Sequence, residues 1–328
     1  MRGKIWITVP DGFDIHIITD GLERNGFTYC RSFVGNTDED GAIAACQGCI
    51  GVISGMEPWN ERTLAAVSGH IKMIIRYGSG YNNIDLAAAS RNGIAIFNAA
   101  GRNAPAVAEI ALLHILNAGR KFTIGVEMAR RSEWGMSDLD SFELDGKVVG
   151  LYGAGNIAQN LARMLAGFKV ELLVYDIVQN DKITQYGATF VDSPEELFRR
   201  SDIVSIHIPL TEKTRGTIDR HFFSLMKPSA TLVNTSRGPL VNEADLLEFL
   251  KAKKIRAAGL DVLCHEPIRG DDPLVLQENA YVTTHMAATS YEAKVRVEEC
   301  LYQTVTEFFD GKYEKEYPMN YINPPLAS

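Results

Sequence analysis

A glycine-rich loop in the middle of the chain has the spacing of a dinucleotide-binding fingerprint. Residues 153–158 read GAGNIA, after an apolar run and before a helix-compatible one. In this motif Gly153 permits a tight turn, Gly155 lets the backbone approach a pyrophosphate, and Ala158 is an accepted substitute for a third glycine. The pyrophosphate would bind at the N-terminus of the following helix. The residues between and after the two glycines are Ala154, Asn156 and Ile157.

Asp176 lies eighteen residues after Ala158, where the second strand of such a unit ends. A carboxylate at this point accepts hydrogen bonds from the adenosine ribose and repels a 2′-phosphate. The sequence therefore predicts NAD in preference to NADP. A Rossmann-like turn that binds no nucleotide is the weaker interpretation, because the loop has the strand and helix context of the motif.

Three side chains further along have the chemistry that a small oxo or hydroxy acid would need. Arg237, in the run NTSRG at 234–238, follows an apolar strand and is a cation for an anionic substrate. His285 follows a later strand and is a candidate acid/base, and Glu266 is a carboxylate that could hold it. Together with the nucleotide motif, these residues predict a hydride-transfer enzyme.

The bulk properties narrow the class of protein. At 328 residues the chain exceeds the usual limit for one hydrophobic core, so two domains are predicted. A net charge of −8 without a basic patch argues against nucleic acid, and no run is long enough to span a membrane. Five cysteines indicate a reducing compartment, with Cys46 and Cys49 expected in a turn and not as a redox pair. We expect a cytoplasmic protein with no nucleic-acid, membrane or metal partner.

Strand-like and helical patterns alternate along the first hundred residues, which predicts a parallel, doubly wound sheet of flavodoxin-like type. The strand-like runs are 4–9, 27–33, 50–54, 71–76 and 94–98, and helical runs include 15–25, 61–67 and 85–92. A long helix is predicted at 104–121, followed by a loop around 134–145. A second series then has strands at 147–151, 170–175, 203–208, 231–234, 257–261 and 281–284, and a last helix at 291–309.

The position of the glycine loop predicts how the domains are arranged. A dinucleotide domain usually begins with this loop, yet here it begins at residue 153. The simplest arrangement is an inserted Rossmann NAD-binding domain at 101–287, within a substrate domain made of 1–100 and 288–328. The active site would lie in the cleft between them.

Further motifs extend the pattern. They read RYGSGYNNID at 76–85, HIPLT at 207–211, MKP at 226–228, LDV at 260–262, and Glu266-Pro267. With VNTSRG at 233–238 and the His285 segment, they make the chain similar to the D-isomer-specific 2-hydroxyacid dehydrogenase family over nearly its whole length. The resemblance implies NAD as cofactor, a D-2-hydroxy acid or 2-oxo acid as substrate, and a homodimer joined through the nucleotide domain near 104–130.

The resemblance also implies a role for each site residue. Arg237 would bind the substrate carboxylate and polarise the C2 carbonyl, His285 would be the acid/base, and Glu266 would orient it. Glutamate at 266 argues against formate dehydrogenase, which has glutamine there, and Ser79 argues against phosphite oxidation, which uses a lysine. Further cofactor contacts are expected from His207, Pro209, Thr235 and Asp261, and substrate contacts from Ser54, Gly55, Gly78, Ser79 and Gly80.

Two other functions stay open on sequence alone. An NAD(H)-sensing corepressor of the same family would keep the catalytic residues, although the extension expected of one is missing after 321–325. Phosphoglycerate dehydrogenase would differ only in substrate, with Arg76 as a candidate for a phosphate or second carboxylate. A small non-phosphorylated acid is the preferred substrate class, because no regulatory domain is seen after residue 310.

Overall fold

The computed structural model describes residues 2–134, 140–313, 318 and 320–323. The chain divides into two compact units, Met1–Asn103 with Ser290–Ser328, and Ala104–Thr289. The domain borders expected from the sequence lie within three residues of these divisions. Part of the predicted 134–145 loop and the end of the predicted tail lie outside the described residues.

The first unit contains a five-stranded parallel sheet. Its strands are β1 (Lys4–Ile7), β2 (Thr28–Arg31), β3 (Gly51–Ser54), β4 (Met73–Arg76) and β5 (Ala95–Phe97), in the order β2-β1-β3-β4-β5. The helices between them are α1 (His16–Arg24), α2 (Glu39–Ala45), α3 (Glu61–Val67) and α4 (Leu86–Arg91). This order confirms the predicted flavodoxin-like arrangement.

Local sequence explains where several of these helices begin. The side chains of Asp38, Asn60 and Asp85 each accept a hydrogen bond from a backbone amide in the first turn of α2, α3 and α4.

Cys46 and Cys49 are buried free thiols in and after the turn that follows α2. Burial raises the pKa of each thiol to about 12, which does not suit a redox pair.

The second unit contains a seven-stranded parallel sheet. Its strands are β6 (Val148–Tyr152), β7 (Glu171–Tyr175), β8 (Ala188–Phe190), β9 (Ile203–Ile206), β10 (Thr231–Asn234), β11 (Ala257–Leu260) and β12 (Ala280–Val282), in the order β12-β11-β10-β9-β6-β7-β8. The helices are α5 (Ala104–Arg120), α6 (Phe122–Arg130), α7 (Asn156–Leu165), α8 (Pro194–Arg200), α9 (Arg220–Leu225) and α10 (Glu243–Lys251). Strand order reverses direction between β6 and β9, which is the point where parallel sheets bind ligands.

One further helix, α11 (Tyr291–Phe309), belongs to the first unit. Ser290 caps its N-terminus, and Val297, Leu301 and Val305 are buried in the same cluster as apolar residues of β1, β3, β4 and β5. The hydroxyl of Tyr77, just after β4, donates to Oε1 of the buried Glu298 at 2.7 Å. Helix α11 therefore completes the core of the first unit, although about 290 residues separate the start of β1 from the start of α11.

Glu57 is a fully buried carboxyl group near the end of β3. The Ser54 hydroxyl donates to its Oε2 at 2.8 Å, and the Trp59 indole donates to the Ser54 hydroxyl at 2.8 Å. Its Oε1 is buried without a hydrogen-bond partner among the described residues. Burial raises the pKa of Glu57 to about 7, although the Ser54 hydrogen bond and the charge of Arg76 oppose the increase. The folded protein therefore holds this proton at a pH where the unfolded chain releases it.

Replacement Glu57→Gln should change how stability depends on pH. In the natural chain the contribution of Glu57 to the free energy of unfolding falls as pH rises from about 4.5 to about 7, because this group ionises only in the unfolded state there. The stability advantage of the glutamine variant should therefore grow by about 2 kcal/mol between pH 5 and pH 8. Urea unfolding followed by the fluorescence of Trp6 and Trp59 measures this, with the exposed Glu23→Gln as control. An advantage that is constant with pH would contradict the prediction.

Candidate functional site

The glycine loop follows β6 directly, at the reversal of strand order in the second unit. Gly153 has a φ of 112°, and a Cβ on it would lie 2.7 Å from the carbonyl carbon of His207. Both the backbone angle and the contact require glycine at this position. Its amide donates to the Tyr175 carbonyl at 2.8 Å, which fixes the turn against the end of β7.

The N-terminus of α7 has the features of an anion-binding site. Gly155 is its N-cap and gives no side-chain cap, and a Cβ on Gly155 would meet nothing within 4 Å. The amides of Gly155, Asn156 and Ile157 donate hydrogen bonds to no residue that the structure describes. Three unused donors on the positive end of a ten-residue helix fit a pyrophosphate.

Asp176 follows β7 and joins this loop to the neighbouring strand. Its Oδ2 accepts from the Ala154 amide at 2.7 Å, and its Oδ1 accepts from the Val178 amide at 3.1 Å. The residue is partly exposed, and each carboxylate oxygen has a second lone pair. The carboxylate can therefore hold the glycine loop and still accept hydrogen bonds from ribose hydroxyls.

Two polar side chains expected at the cofactor lie after β9 and β10 with unused hydrogen-bonding atoms. Both ring nitrogens of His207 are buried, and so is Oγ1 of Thr235, without partners in the described part of the chain. Burial lowers the pKa of His207 to about 3, so its ring is neutral. Pro209 is exposed beyond them. Buried polar atoms without partners are uncommon in proteins, and here they fit a bound polar ligand.

Arg237 lies in a tightly held loop after β10. The Ser236 amide donates to Asn234 Oδ1 at 2.9 Å, and the Ser236 hydroxyl donates to the Ile206 carbonyl at 2.8 Å. A Cβ on Gly238 would lie 2.0 Å from the Leu263 carbonyl carbon, so the loop runs directly against the segment that leads to Glu266. Burial lowers the pKa of Arg237, and the negative charge of Glu266 counteracts the decrease.

His285 and Glu266 form a direct pair. Nδ1 of His285 is 2.7 Å from Oε2 of Glu266, and the side chains are 47% and 34% exposed. A pair that is partly open to solvent leaves the second ring nitrogen available to a ligand. This contact engages Nδ1 and leaves Nε2 as the ring nitrogen that does not face Glu266.

Asp261, expected at the cofactor, is fully buried and bonded to the loop that carries His285. Its Oδ1 accepts from the Thr283 hydroxyl at 2.6 Å and from the Met286 amide at 3.0 Å, and its Oδ2 accepts from the Ala287 amide at 2.9 Å. The sequence analysis missed these contacts, because nothing in the spacing of 261 and 283–287 indicates them. In the structure, Asp261 therefore supports the loop that carries His285.

The five residues expected to bind substrate in the first unit lie at the end of β3 or just after β3 and β4. The Ser54 hydroxyl is engaged with Glu57 and Trp59, and a Cβ on Gly55 would lie 2.5 Å from the Thr8 carbonyl oxygen. The amides of Gly78, Ser79 and Gly80 differ, because none of them donates to an acceptor among the described residues. Gly78 has a φ of 126° and open space beside its Cα. Residues 78–80 are thus the part of this segment that presents unused donors.

Within the described ranges, no helix is long and apolar enough to cross a membrane. Over the same residues, no group of three or more histidine, cysteine or acidic side chains is placed to hold a metal ion.

Residues 112–287 match the family model described as D-isomer specific 2-hydroxyacid dehydrogenase, NAD binding domain. The chain is 36% identical over 230 residues to a hydroxypyruvate reductase of Thermotoga maritima, covering 70% of this chain and 74% of that protein. It is 35% identical over 256 residues to a D-3-phosphoglycerate dehydrogenase of Methanocaldococcus jannaschii, covering 78% of this chain. This chain spans about half the length of that dehydrogenase, 48%.

The fold is also similar to solved structures. An acyclic imino acid reductase in complex with NADPH and D-arginine matches with a TM-score of 0.85 and 28% identity, over 97% of this chain and 99% of that one. The family model covers more than half of the 328 residues, and the hydroxypyruvate reductase is covered over more than two thirds of its length. The chain belongs to the D-isomer-specific 2-hydroxyacid dehydrogenase family and contains its NAD-binding domain.

Proposed function

We propose that the protein is an NAD-dependent oxidoreductase that transfers a hydride between NAD(H) and C2 of a small D-2-hydroxy acid or 2-oxo acid. The observation that carries the proposal is the 2.7 Å contact between Glu266 and His285, in a unit that matches the family's NAD-binding domain. An acid/base held by a carboxylate suits a reaction that moves a proton together with a hydride.

The cofactor supplies or accepts the hydride when it is bound. In the proposal, the amides of Gly155, Asn156 and Ile157 bind its pyrophosphate, with Gly153 and Ala154 forming the turn. Asp176 accepts hydrogen bonds from the adenosine ribose and disfavours a 2′-phosphate by charge repulsion. The unused polar atoms of His207 and Thr235, with Pro209 beside them, line the remaining part of the cofactor site.

His285 performs the proton transfer through Nε2, because Nδ1 is engaged by Glu266. In reduction Nε2–H donates to the carbonyl oxygen at C2, and in oxidation the neutral nitrogen accepts the hydroxyl proton. Glu266 fixes the orientation of the ring through its contact with Nδ1. Asp261 holds the loop so that this orientation persists between turnovers.

Arg237 binds the carboxylate of the substrate and draws electron density from the adjacent carbonyl. Its guanidinium suits this task because it donates several hydrogen bonds in one plane and keeps its charge even when its pKa is lowered. In the first unit, the amides of Gly78, Ser79 and Gly80 are donors for a carboxylate. The Ser54 carbonyl accepts from the Tyr77 amide at 2.8 Å, which connects the end of β3 to that segment, and the Gly55 amide donates to the Thr8 hydroxyl.

A non-phosphorylated acid is the proposed substrate class. The segments after β3 and β4, 54–60 and 76–85, read SGMEPWN and RYGSGYNNID and contain Arg76 as their cationic residue. Its guanidinium already donates to the carbonyl oxygens of Ser54 and Tyr77. A phosphate usually binds several cations or charge-assisted donors, and these segments suit a smaller anion better.

The test of the proposed function is NADH oxidation by the purified chain across glyoxylate, hydroxypyruvate, pyruvate and phosphorylated or branched 2-oxo acids, with NADPH in parallel. We expect one small non-phosphorylated acid to be reduced well above the rest, and NADH to be preferred. A preference for the phosphorylated acid would support phosphoglycerate dehydrogenase instead. Tight NADH binding with no turnover on any acid would contradict the enzyme and favour a cofactor sensor.

His285→Asn should reduce kcat by about 100-fold or more, because general acid catalysis commonly contributes this much. The Kd for NADH should stay within about twofold, since the pyrophosphate and ribose sites are unchanged. Stopped-flow turnover and fluorescence titration measure the two quantities, with the exposed His265→Asn as the matched control. Equal losses of turnover and NADH binding would remove His285 from the acid/base role.

Gly155→Ala should weaken NADH binding without affecting the fold. The Cβ would point into open space, and the φ of −70° suits any residue, so the Tm should change by about 2 °C or less. The same methyl group would lie where the pyrophosphate approaches the helix, so the Kd for NADH should rise by about 10-fold or more. Gly153→Ala is the contrasting variant, because its Cβ would collide with the His207 backbone. Unchanged NADH affinity in Gly155→Ala would place the pyrophosphate elsewhere.

A homodimer through the second unit is part of the proposal. Helix α6 buries none of its residues although Phe122, Ile124, Val126 and Met128 are apolar. Phe122 is 66% exposed, and Leu113 on α5 is 51% exposed. Exposed apolar side chains on adjacent helices indicate a contact surface.

Light scattering should give twice the mass of one chain, and the double replacement Leu113→Glu with Phe122→Glu should give a monomer. A monomeric natural chain would contradict this.

A further inference from the structure

His114 is a buried histidine that the proposed reaction does not use. It lies on α5 and is 4% exposed. Its Nε2 is 3.1 Å from Oγ1 of Thr283, and Thr283 is two residues before His285. Burial lowers the pKa of His114, with the charge of Asp261 opposing the decrease, so the ring is neutral at physiological pH. His114 therefore contacts, through Thr283, the loop that carries His285.

The hydrogen bonds fix which atom donates at each step. The Thr283 hydroxyl donates to Oδ1 of Asp261 at 2.6 Å. Thr283 has a single hydroxyl proton, so its oxygen must accept from His114. The neutral ring therefore carries its proton on Nε2. In this series of hydrogen bonds each group donates to the next, His114 to Thr283 and Thr283 to Asp261.

Asp261 connects this series of hydrogen bonds to the backbone amides of residues 285–287. Its carbonyl oxygen accepts from the His285 amide at 2.8 Å, and its carboxylate accepts from the amides of Met286 and Ala287. His285 itself has a φ of 52°, a left-handed conformation that is uncommon for a residue other than glycine. The bonds to Asp261 are what hold the loop in this conformation.

The sheet leaves space for the histidine. Gly259, on β11 two residues before Asp261, would place a Cβ 2.7 Å from the Cβ of His114. A side chain at 259 would therefore push α5 away from the strand. Leucine at position 114 would fill a similar volume but would leave the Thr283 hydroxyl without its donor, since leucine has no polar atom.

We propose that His114 is a positioning residue for His285, acting through Thr283 and Asp261 to fix the loop at 283–287. The inference rests on the proposed function, in which His285 transfers the proton. Without the donor from His114, the Thr283 hydroxyl can rotate away from Asp261, and the carboxylate then holds the loop less firmly. His285 would keep its Glu266 partner but would lose alignment with the substrate oxygen.

The experiment compares His114→Leu, His114→Gln and Thr283→Val with the natural chain. Glutamine keeps an N–H donor at the end of a side chain of similar reach, whereas leucine and valine each remove one member of the series. Ile115→Val is the matched control, because Ile115 is fully buried on the same helix outside the network. The measurements are hydrogen exchange of the Met286 and Ala287 amides, kcat, the KM for NADH, and the solvent deuterium isotope effect on kcat.

His114→Leu and Thr283→Val should each speed amide exchange at 286 and 287 by about 10-fold. Each should lower kcat by about 10-fold with the KM for NADH within about twofold, and raise the solvent isotope effect, because a misaligned donor slows proton transfer. His114→Gln should restore all three values. The double variant His114→Leu with Thr283→Val should be no worse than either single one, as expected for residues that act in series.

If His114→Leu keeps the amide exchange rates and the kcat of the natural chain, the inference is overturned. Changes of the same size in Ile115→Val would also overturn it, because they would indicate a general effect on packing. The exchange measurement needs no turnover. A chain that reduces none of the acids would thus contradict the proposed function, while amide exchange at 286 and 287 would still decide whether His114 holds the loop.

Discussion

The turn that carries His285 depends on one buried carboxyl group, that of Asp261 just after β11. A buried carboxyl group is unfavourable unless hydrogen-bond donors meet its oxygens. Thr283, Met286 and Ala287 provide three of them, and the Asp261 amide donates to the Asn234 carbonyl at 2.9 Å. Through its backbone amide and its side chain together, Asp261 therefore connects the end of β10 to the turn that carries the histidine.

The parallel sheet explains why residues so distant in the chain share one edge. Gly153, Asp176, His207, Arg237 and Asp261 follow β6, β7, β9, β10 and β11, and the carboxyl ends of parallel strands lie on the same side. The strands fix where each of these loops begins, and the loops present the side chains of the candidate site. Close backbone contacts at Gly153 and Gly238 keep those loops against their neighbours.

Most of the fold could be predicted from the sequence, because alternating apolar runs and glycine or polar caps are local signals. The Glu266–His285 pair was predictable only through the resemblance, since 19 residues separate the two. Helix α6 was missed because its successive residues Thr123, Ile124, Gly125 and Val126 favour a helix only weakly. The burial of Glu57, the unused nitrogens of His207 and the bond from His114 to Thr283 were also missed. Each depends on what packs around the residue, which spacing along the chain does not encode.

The double duty of Asp176 bears on attempts to redesign cofactor choice. Its carboxylate accepts the Ala154 amide at 2.7 Å, and under the proposed function it also binds the adenosine ribose. A substitution chosen only to admit a 2′-phosphate would also take away the acceptor that anchors the phosphate loop. A short side chain with an oxygen acceptor retains part of that anchor, whereas alanine leaves the amide unmatched. Engineering toward NADP would therefore have to replace two functions at once, charge discrimination and loop support.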